Sequence, residues 1–315
     1  MATPSPLESG LVIAGHGRHV WVETPDGRRL ICHPRGKKSQ TVVGDHVLWQ
    51  ASEDEGTIEK VQPRRNLFYR QDEIRTKSFA ANLDQVLILI AAEPEFSESQ
   101  LARALIAAEA EHIRPIIALN KSDLAEPFQR AWARMGVYRD MGYTILPMAL
   151  KPKGDSAPNT EHHLDTVLAG KTTLVLGPSG SGKSTLINRL IPEAQVLTNA
   201  ISTALNSGKH TTTSTTLYWV DSAKTTAVID SPGFQEFGLN HIEPMHLASL
   251  MPDIKAHASD CKFYNCSHLH EPGCGVMAAL QKASDGYLAP SPHEISTSRY
   301  KIYSSLFAEL SQKRY

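Results

Sequence analysis

The order of three short motifs constrains the fold of this chain more than any other feature. Asn-Lys-Ser-Asp (residues 120–123) comes first, Gly-Pro-Ser-Gly-Ser-Gly-Lys-Ser-Thr (177–185) second, and Asp-Ser-Pro-Gly (230–233) third. The second motif fits the phosphate-loop pattern G-x-x-x-x-G-K-[ST]. In domains that carry these motifs together, the phosphate loop normally leads. The observed order therefore predicts an α/β domain whose elements are joined in a circularly permuted sequence.

The phosphate-loop motif has the strand–loop–helix context that it needs. Residues 172–176 are typical of a buried parallel strand, and residues 184–191 predict a helix that ends before Pro192. Glycines let backbone N–H groups point at phosphate oxygens, and the helix N-terminus adds a favourable potential. Lys183 is expected to contact the β- and γ-phosphates and Ser184 to bind Mg²⁺, so both are predicted to be catalytic. The predicted nucleotide contacts are Gly177, Pro178, Ser179, Gly180, Ser181, Gly182, Lys183, Ser184 and Thr185.

The phosphate loop does not by itself select a base, because ATP-dependent kinases and transporters share it. The Asn-Lys-Ser-Asp motif follows an apolar strand (residues 115–119), so it is expected at the carboxyl end of that strand, where ligands bind in α/β sheets. The Asp123 carboxylate can accept hydrogen bonds from guanine N1 and N2, a donor pair that adenine lacks. Asn120 can bind the opposite edge of the base, and the stem of Lys121 can cover its face. Asn120, Lys121, Ser122 and Asp123 are therefore predicted to bind guanine.

The third motif follows an apolar strand (residues 225–229) and indicates a hydrolysis switch. Asp230 is expected to hold Mg²⁺ through a water, and the Gly233 N–H is expected to sense the γ-phosphate. Many small GTPases place a glutamine directly after this motif to orient the attacking water. This chain has Phe234 there, which cannot do so, and another group or a partner must position the water.

Residues 208–213, Gly-Lys-His-Thr-Thr-Thr, are the predicted first switch. One of Thr211, Thr212 and Thr213 is expected to complete the magnesium shell, and Thr212 is taken as the ligand. His210 is the predicted catalytic residue that orients or activates water, because imidazole can donate and accept protons near neutral pH. The alternative for His210 is a solvated loop histidine.

Three of the four cysteines lie near the C-terminus in the pattern Cys261-x4-Cys266-x-His268-x5-Cys274. Three thiolates and one imidazole form the closed donor set of a structural zinc site. Disulfides are the rival interpretation. They are disfavoured because no signal peptide is recognised, so a reducing cytosol is expected, and because three cysteines would leave one unpaired. His270 is the alternative to the preferred His268, and the fourth cysteine is expected in a hydrophobic core.

Composition limits the other classes of function. The 315 residues suggest two domains or slightly more, and a hydrophobic content of 41% is enough for ordinary cores. No apolar run approaches the ~20 residues that span a bilayer, so no membrane partner is expected. A formal net charge of −1 excludes a globally basic nucleic-acid binder, and any RNA contact must be a local patch.

The first 72 residues predict a small β-barrel. Short apolar runs alternate with Gly, Pro and Asp turns at near-regular spacing, which favours a five-stranded barrel of the OB type. The predicted strands are residues 11–13, 20–22, 29–32, 46–49 and 56–58. Basic residues (Arg35, Lys37, Lys38, Arg64, Arg65 and Arg70) and aromatic residues (Trp21, Trp49, Phe68 and Tyr69) form a predicted RNA platform. The alternative is a structural barrel with a solvated basic rim.

The remaining patterns complete a three-domain prediction. Residues 83–90 predict a buried strand, residues 97–113 a helix with a capping box, and residues 123–139 another helix before a strand at 143–146. The predicted domains are an OB-fold RNA- or ribosome-binding domain (1–72), a circularly permuted P-loop GTPase domain (73–240) and a small, mostly helical zinc-binding domain (241–315).

Together these motifs resemble one family, the circularly permuted GTPases called RsgA or YjeQ, over nearly the whole chain. Besides the nucleotide and cysteine motifs, the resemblance is carried by Val-Gly-Asp (43–45), Pro-Arg-Arg-Asn (63–66) and Ala-Asn-Leu-Asp-Gln (81–85). One departure is visible. The family usually carries Ser-Ala after the strand at residue 143, whereas this chain has Met148-Ala149, and the backbone N–H of Ala149 is expected to reach guanine O6.

The resemblance implies a cytoplasmic enzyme that hydrolyses GTP to GDP and phosphate, is stimulated by the small ribosomal subunit and acts in late 30S assembly by binding rRNA. It implies Mg²⁺ with GTP and one structural zinc ion, and the chain is expected to be a monomer. We further hypothesise that GTP holds the barrel and the zinc domain in a ribosome-gripping arrangement that hydrolysis loosens. The rival hypotheses are a P-loop kinase, which would prefer ATP, and an RNA-binding assembly module whose nucleotide is only structural.

Overall fold

The structure is a computed structural model that describes residues 6–16, 19–36, 41–52, 55–151, 160–194, 215–231, 237–280 and 294–312. Strands and helices alternate through the middle of the chain, strands alone precede them, and short helices follow. Within the described ranges, no helix has the length and apolar character needed to cross a membrane.

The N-terminal strands form the predicted five-stranded barrel. They are β1 (Glu8–His16), β2 (His19–Glu23), β3 (Arg29–Pro34), β4 (His46–Ala51) and β5 (Gly56–Val61). β1 pairs with both β2 and β4, and β3 pairs with β5, which closes the barrel. Alternate side chains such as Val22, Val47 and Trp49 fill its core. Cys32 lies in the same core, as expected, and burial raises the pKa of its thiol to about 12.

A hairpin that the sequence analysis did not predict follows the barrel. Its strands are β6 (Leu67–Gln71) and β7 (Thr76–Ala81), which form a separate two-stranded sheet. Phe68 and Phe79 pack against each other and against Phe237, which follows the last strand of the central domain in the chain, with ring centroids 5.6–5.9 Å apart. The predicted domain boundary at residue 72 lies in the turn of this hairpin.

The central domain is an α/β unit around a mostly parallel sheet. Its strands are β8 (Gln85–Ala91), β9 (Arg114–Asn120), β10 (Thr144–Pro147), β11 (Thr172–Leu176), β12 (Thr215–Trp219) and β13 (Ala227–Asp230). Its helices are α1 (Glu98–Ala110), α2 (Ala125–Arg134), α3 (Gly136–Asp140), α4 (Thr160–Leu168) and α5 (Lys183–Leu190). Strands β10, β9, β8, β11 and β13 are parallel in that spatial order, and β12 runs antiparallel to β13. The strand before the phosphate loop is therefore central although three strands of the sheet precede it in the chain, which confirms the permuted connection.

Helices cover both faces of this sheet, and β8 shows the consequence for the sequence. Val86, Ile88 and Ile90 contact the core on the α1 side, whereas Leu87 and Leu89 contact the core on the α4 and α5 side. Because both faces are buried, the strand is continuously apolar rather than alternating.

Two local predictions about helices have different outcomes. The cap of α1 is confirmed, because the Ser97 hydroxyl accepts a hydrogen bond from the Gln100 N–H at 3.3 Å. The single helix predicted over residues 123–139 is two helices, α2 and α3, which meet at Met135 and Gly136. Glycine has low helix propensity, and this explains the position of the break.

The C-terminal region is helical, as predicted. It contains a 3-10 helix (Pro244–Leu250), α6 (Pro252–Ala258), α7 (Gly275–Ala278) and α8 (Thr297–Leu310). Tyr303 and Leu306 of α8 are buried in the core that also contains α1. Arg103 of α1 forms an ion pair with Glu309 of α8, which ties the C-terminal helix to the central domain.

The barrel and the central domain share one sheet. Strand β12, which the sequence analysis did not predict, pairs with β13 on one side and with β1 of the barrel on the other. The result is an eleven-stranded sheet in the order β10-β9-β8-β11-β13-β12-β1-β2-β3-β5-β4. The two domains are therefore joined by backbone hydrogen bonds as well as by the chain itself.

Candidate nucleotide site and metal centre

The phosphate loop connects β11 to α5 as predicted. Its backbone is left-handed at Gly180 (φ +81°) and Gly182 (φ +104°), a conformation that a side chain would strain. A Cβ atom at Gly182 would lie only 2.4 Å from Asn120 Nδ2, so this position also lacks space for a side chain. Helix α5 begins at Lys183, and its first turn borders the cleft described below. The loop therefore has the geometry of an anion-binding helix N-terminus.

Asn120 holds the phosphate loop against the base-binding motif. It is the last residue of β9 and is buried. Its Nδ2 donates to the Ser181 carbonyl at 2.8 Å, and its Oδ1 accepts from the Leu150 N–H at 3.1 Å. Both ends of the amide thus connect loops that come from different parts of the chain. The predicted contact of Asn120 with the base stays a prediction.

The other three residues of this motif form a short loop after β9. Lys121 is left-handed (φ +68°), and its ammonium donates to the Glu93 carbonyl. The Ser122 N–H donates to the Met148 carbonyl at 2.9 Å, which fixes the loop to the end of β10. Asp123 is half-buried and borders the cleft, so its carboxylate is available to a ligand there.

A cleft of about 630 Å³ lies between these loops. Residues of both predicted sets border it, although the sets are far apart in the chain, whereas Ser122 and Ser181 are not among its lining residues. The predicted residues in its lining are Asn120, Lys121, Asp123, Gly177, Pro178, Ser179, Gly180, Gly182, Lys183, Ser184 and Thr185. Leu124, Leu150 and Lys151 also line it and were missed. Leu150 and Lys151 directly follow the Met148-Ala149 loop, so their place after a parallel strand was the signal that could have found them.

Lys183 forms an ion pair with Asp230, the last residue of β13. Each side chain is 16% exposed, so the pair is partly shielded from solvent. Ser231 follows it and is buried, with its hydroxyl 3.4 Å from the Val175 carbonyl that accepts its hydrogen bond. The fold thus places the predicted phosphate-binding ammonium beside the predicted magnesium-binding carboxylate.

Several predicted site residues lie outside the described residues. They are His210, Thr212 with its alternatives Thr211 and Thr213, Gly233 and Phe234. Their predicted roles in the two switches stay predictions.

The cysteine motif closes into a four-residue cluster. The Sγ atoms of Cys261, Cys266 and Cys274 and a ring nitrogen of His268 lie within 4.8 Å of one another. His270 is exposed and lies outside this cluster. All four cysteines of the chain are free thiols, so none forms a disulfide. Three soft sulfur donors with one imidazole could hold a metal ion, and this donor set suits zinc.

The residues around the cluster hold its loops in place. The Glu271 carboxylate accepts hydrogen bonds from the backbone and hydroxyl of Ser267 and from the Leu269 N–H. The Tyr300 hydroxyl donates to the His268 carbonyl at 2.9 Å, and the Tyr303 hydroxyl donates to the Ser267 carbonyl at 2.8 Å. Because both tyrosines belong to α8, the cluster and the C-terminal helix form one packed unit.

The structure buries part of the predicted RNA platform, and the RNA contact itself stays a prediction. Trp49 and Phe68 are core residues, and the Tyr69 ring packs against the His241 ring, tilted by 39° with centroids 4.4 Å apart. Arginines of the platform have acidic partners within the chain: Arg35 with Glu59, Arg64 with Asp45, Arg65 with Asp84, and Arg70 with Asp72. Lys37 and Lys38 lie outside the described residues.

Comparison with known proteins identifies close relatives. The model of the RsgA GTPase family matches residues 61–240. The small ribosomal subunit biogenesis GTPase RsgA of Variovorax paradoxus is 72% identical over 310 residues, which cover 98% of this chain and 94% of that protein. The protein of the same name from Paraburkholderia phymatum is 48% identical over 305 residues, which cover 96% of this chain and 92% of that protein.

Two solved structures share the fold. YloQ, described as a circularly permuted GTPase, superposes with a TM-score of 0.68 at 28% identity and covers 98% of both chains. YjeQ from Thermotoga maritima superposes with a TM-score of 0.71 at 29% identity, over 98% of this chain and all of that one. The permuted sheet, the cleft and these matches lead to one conclusion: the chain belongs to the RsgA family of circularly permuted GTPases and is a GTP hydrolase.

Proposed function

We propose that this protein hydrolyses GTP during assembly of the small ribosomal subunit, and that the small subunit stimulates the reaction. The observation that carries the proposal is the cleft, in which Asp123 from the early part of the chain and Lys183 and Ser184 from the later part border one space. The assignment to small-subunit assembly is supported by two relatives that are named small ribosomal subunit biogenesis GTPases. In this role the protein acts in the cytoplasm, as a monomer, with rRNA and GTP or GDP as partners.

The cleft divides into a base end and a phosphate end. We assign guanine to the loop with Asn120, Lys121 and Asp123, where the Asp123 carboxylate accepts hydrogen bonds from N1 and N2. We assign the phosphates to the loop of residues 177–185, whose backbone N–H groups and helix N-terminus suit anions. The volume of about 630 Å³ agrees with ordinary ligand pockets.

Hydrolysis is assigned to groups at the phosphate end. Lys183 neutralises charge on the β- and γ-phosphates, which requires it to leave its ion pair with Asp230. Ser184 and Thr212 are the proposed magnesium ligands, with Asp230 holding the ion through a water, and the ion would further neutralise the phosphate charge. The Gly233 N–H senses the γ-phosphate, and His210 orients the attacking water.

We assign one zinc ion to Cys261, Cys266, His268 and Cys274. Four protein donors would fill the coordination shell of a zinc ion and leave no position for a substrate, so the proposed role is structural. The support is the donor set and its closure within 4.8 Å.

We place one rRNA contact on the loop between the first two cysteines of the cluster. Tyr264 is fully exposed there and Phe263 is 42% exposed. Lys262 Nζ lies 5.6 Å from the centroid of the Phe263 ring. Exposed aromatic rings beside a cation can stack on unpaired bases and attract the phosphate backbone.

The guanine assignment is tested with Asp123→Asn. Xanthine has a carbonyl where guanine has its 2-amino group, so it matches the amide of asparagine rather than a carboxylate. GTP turnover should fall by about 100-fold or more, and XTP turnover should rise to replace it. The wild-type protein, assayed with GTP, ATP and XTP, is the control. Equal use of ATP and GTP by the wild type would favour a kinase-like site and overturn the assignment.

The ribosomal assignment is tested by GTP turnover of the protein alone, with purified small subunits and with purified large subunits. Small subunits should raise turnover and large subunits should not. No stimulation by either, or equal stimulation by both, would exclude the proposed role.

The rRNA contact is tested with the double variant Phe263→Ala and Tyr264→Ala. Its affinity for small subunits should fall about tenfold or more, because each lost stacking contact is worth ~1–3 kcal/mol, while GDP affinity stays unchanged. Met245→Ala, which removes another exposed apolar side chain at 49% exposure, is the matched control. Equal affinities of the two variants would show that the loop makes no such contact.

A further inference from the structure

The nucleotide site and the barrel are connected through a single strand. In the registers of β12, Thr216 pairs with Asp230 on one side and with Ala14 of the barrel on the other. Since neighbouring strands lie ~4.8 Å apart, the backbone of Asp230 is only about 10 Å from that of Ala14. A movement of Asp230 therefore reaches the barrel through two rows of sheet hydrogen bonds.

A buried carboxylate fixes the far end of β12 to the barrel. Glu23, the last residue of β2, is 5% exposed. Its carboxylate accepts hydrogen bonds from Trp219 Nε1 at 2.9 Å and Lys224 Nζ at 2.7 Å. Arg29 of the neighbouring barrel strand donates to its other oxygen at 2.7 Å. One barrel carboxylate thus binds both the end of β12 and the turn that leads to β13.

The charge of Glu23 is stabilised in this position. Burial by itself acts to raise the pKa of Glu23, but hydrogen bonds from Lys224, Arg29 and Trp219 outweigh burial and hold the pKa below its ordinary value. The carboxylate is therefore ionised at neutral pH, and its hydrogen bonds are of the strong, charge-assisted kind.

The turn between β12 and β13 is itself well fixed. The Asp221 carboxylate accepts hydrogen bonds from the Thr225 N–H at 3.0 Å, the Thr225 hydroxyl at 3.1 Å and the Thr226 N–H at 2.6 Å. Because these hydrogen bonds fix the turn, Lys224 and Trp219 move together when the β12–β13 hairpin shifts. Glu23 is hydrogen-bonded to both side chains and moves with them.

We propose that Glu23 is a positioning residue for the GTPase reaction: it locks β12 to the barrel, so that the barrel and the strand carrying Asp230 change position together when the bound nucleotide changes. The inference deepens the proposed function, in which GTP and GDP alternate in the cleft. Because coupling free energies are reciprocal, a partner that holds the barrel in one position also biases the nucleotide site.

The test is hydrogen exchange of the full-length protein with GDP and with a non-hydrolysable GTP analogue. In the wild type, amide exchange in β1 and β2 should differ by about fivefold or more between the two states, which is the lower end of ordinary allosteric coupling. In Glu23→Gln, this difference should become clearly smaller in β1 and β2 but persist undiminished in the phosphate loop, because the backbone pairing of β12 with β1 remains. Trp219→Phe keeps an aromatic ring, although a smaller one, and removes the N–H donor. It should weaken the difference in the same way, and it serves as the test if Glu23→Gln does not fold.

Asp45→Asn is the matched control. Asp45 is another buried barrel carboxylate, but it accepts its hydrogen bonds from Arg64 at 2.7 Å and from the Val42 N–H at 2.8 Å rather than from β12. This variant should lower Tm and keep the nucleotide-dependent difference in the barrel, which separates positioning from simple destabilisation.

Two results would overturn the proposal: equal exchange of β1 and β2 in the two nucleotide states of the wild type, or a full difference retained in both Glu23→Gln and Trp219→Phe. The proposed ribosomal function is tested separately, by whether small subunits stimulate GTP turnover. If they do not, the hydrogen-exchange experiment still tests the role of Glu23, because it uses the protein and nucleotide alone.

Discussion

Arg299 illustrates how one side chain can secure the packing of two domains. It lies on α8, is 3% exposed, and donates to both oxygens of Asp253 on α6 at 2.7 and 3.0 Å. Its guanidinium also lies 5.4 Å from the centre of the Tyr138 ring on α3 of the central domain. A buried charge is tolerated only when it is paired, so the position of α8 depends on Asp253.

Asp253→Asn should therefore be strongly destabilising. It leaves Arg299 buried without a counter-charge, and we expect the free energy of unfolding to fall by about 3–5 kcal/mol, measured by urea denaturation. Glu8→Gln, which removes an acceptor of the exposed Arg28, is the control and should leave the midpoint unchanged. A wild-type midpoint for Asp253→Asn would show that this ion pair does not hold the helices.

His241 makes stability depend on pH. Its ring packs against Tyr69 in a tilted arrangement, and in the described part of the chain neither ring nitrogen has a hydrogen-bond partner. Burial lowers the pKa of His241 to about 4. In the unfolded chain the pKa returns to ~6.5, so the unfolded state takes up the proton first as pH falls. Stability is therefore complete above pH ~6.5 and is lost between pH ~6.5 and ~4.

His241→Phe should remove this particular loss while keeping an aromatic ring against Tyr69. Between pH 7 and pH 4, the unfolding free energy of the wild type should fall by roughly 2–3 kcal/mol more than that of the variant. Denaturant titrations at both pH values measure the difference. If both proteins lose stability equally, the histidine is not held neutral by burial.

At the scale of elements, the phosphate loop takes its shape from its neighbours as well as from its own glycines. Asn120 binds the Ser181 carbonyl, and a Cβ atom at Gly180 would lie 3.3 Å from Pro94 Cδ. The loop is thus enclosed by segments that follow β8 and β9. Any side chain added on its inner side must displace one of them.

Gly182→Ala tests this dependence. The added Cβ would meet Asn120 Nδ2 at 2.4 Å and would occupy a strained φ, so GDP affinity should fall by about tenfold or more in a titration with fluorescent GDP. Gly142→Ala is the matched control, because its φ is also positive (+88°) but its Cβ meets nothing within 4 Å. Unchanged GDP affinity in Gly182→Ala would mean that the phosphate loop can move away from Asn120 without weakening GDP binding.

At the scale of the whole molecule, the cluster of three cysteines and one histidine is packed into the C-terminal region. Cys266 and Cys274 belong to the same core as Tyr303 and Leu306 of α8, and that core continues to α1. Without the proposed zinc ion, three thiols and an imidazole would be packed together with no metal to bind them. The nucleotide cleft and the cluster share no residues, so loss of metal binding should leave nucleotide binding intact.

Cys274→Ser should lose the bound zinc and expose the C-terminal region to protease, with GDP affinity retained. Zinc content by atomic absorption and the sites of limited proteolysis measure both effects. Cys32→Ala, in the barrel core, is the control and should keep one zinc ion per chain. Retention of zinc by Cys274→Ser would remove Cys274 from the ligand set.

Local patterns predicted much of this molecule because their physical causes are local. The phosphate loop, the Asn-Lys-Ser-Asp loop and the Asp-Ser-Pro-Gly motif each follow an apolar run, and strand ends could be located from those runs. The cysteine cluster lies within residues 261–274. In so short a segment, the spacing of the cysteines and the turn residues between them largely determine which side chains can meet. The barrel followed from its regular alternation of apolar runs and turns.

The features that were missed depend on contacts between distant segments. Strand β12 is polar at Thr215 and Thr216, and it becomes a strand because β1 and β13 lie on either side of it. Trp49 and Phe68 are residue types that can stack on bases, but in the fold they are buried in hydrophobic cores. The acidic partners of Arg35, Arg64 and Arg65 likewise come from distant segments of the chain.

The amino-acid sequence alone thus determined the chemistry: a guanine-type loop, a phosphate loop, a switch motif and a soft-metal donor set, each encoded within a few neighbouring residues. Only the tertiary structure decided how they are coupled, because pairing of β12 with β1, the burial of Glu23 and the packing of α8 require residues up to about 200 positions apart to meet. Such contacts form when the chain buries its apolar surface, and no local pattern specifies their partners.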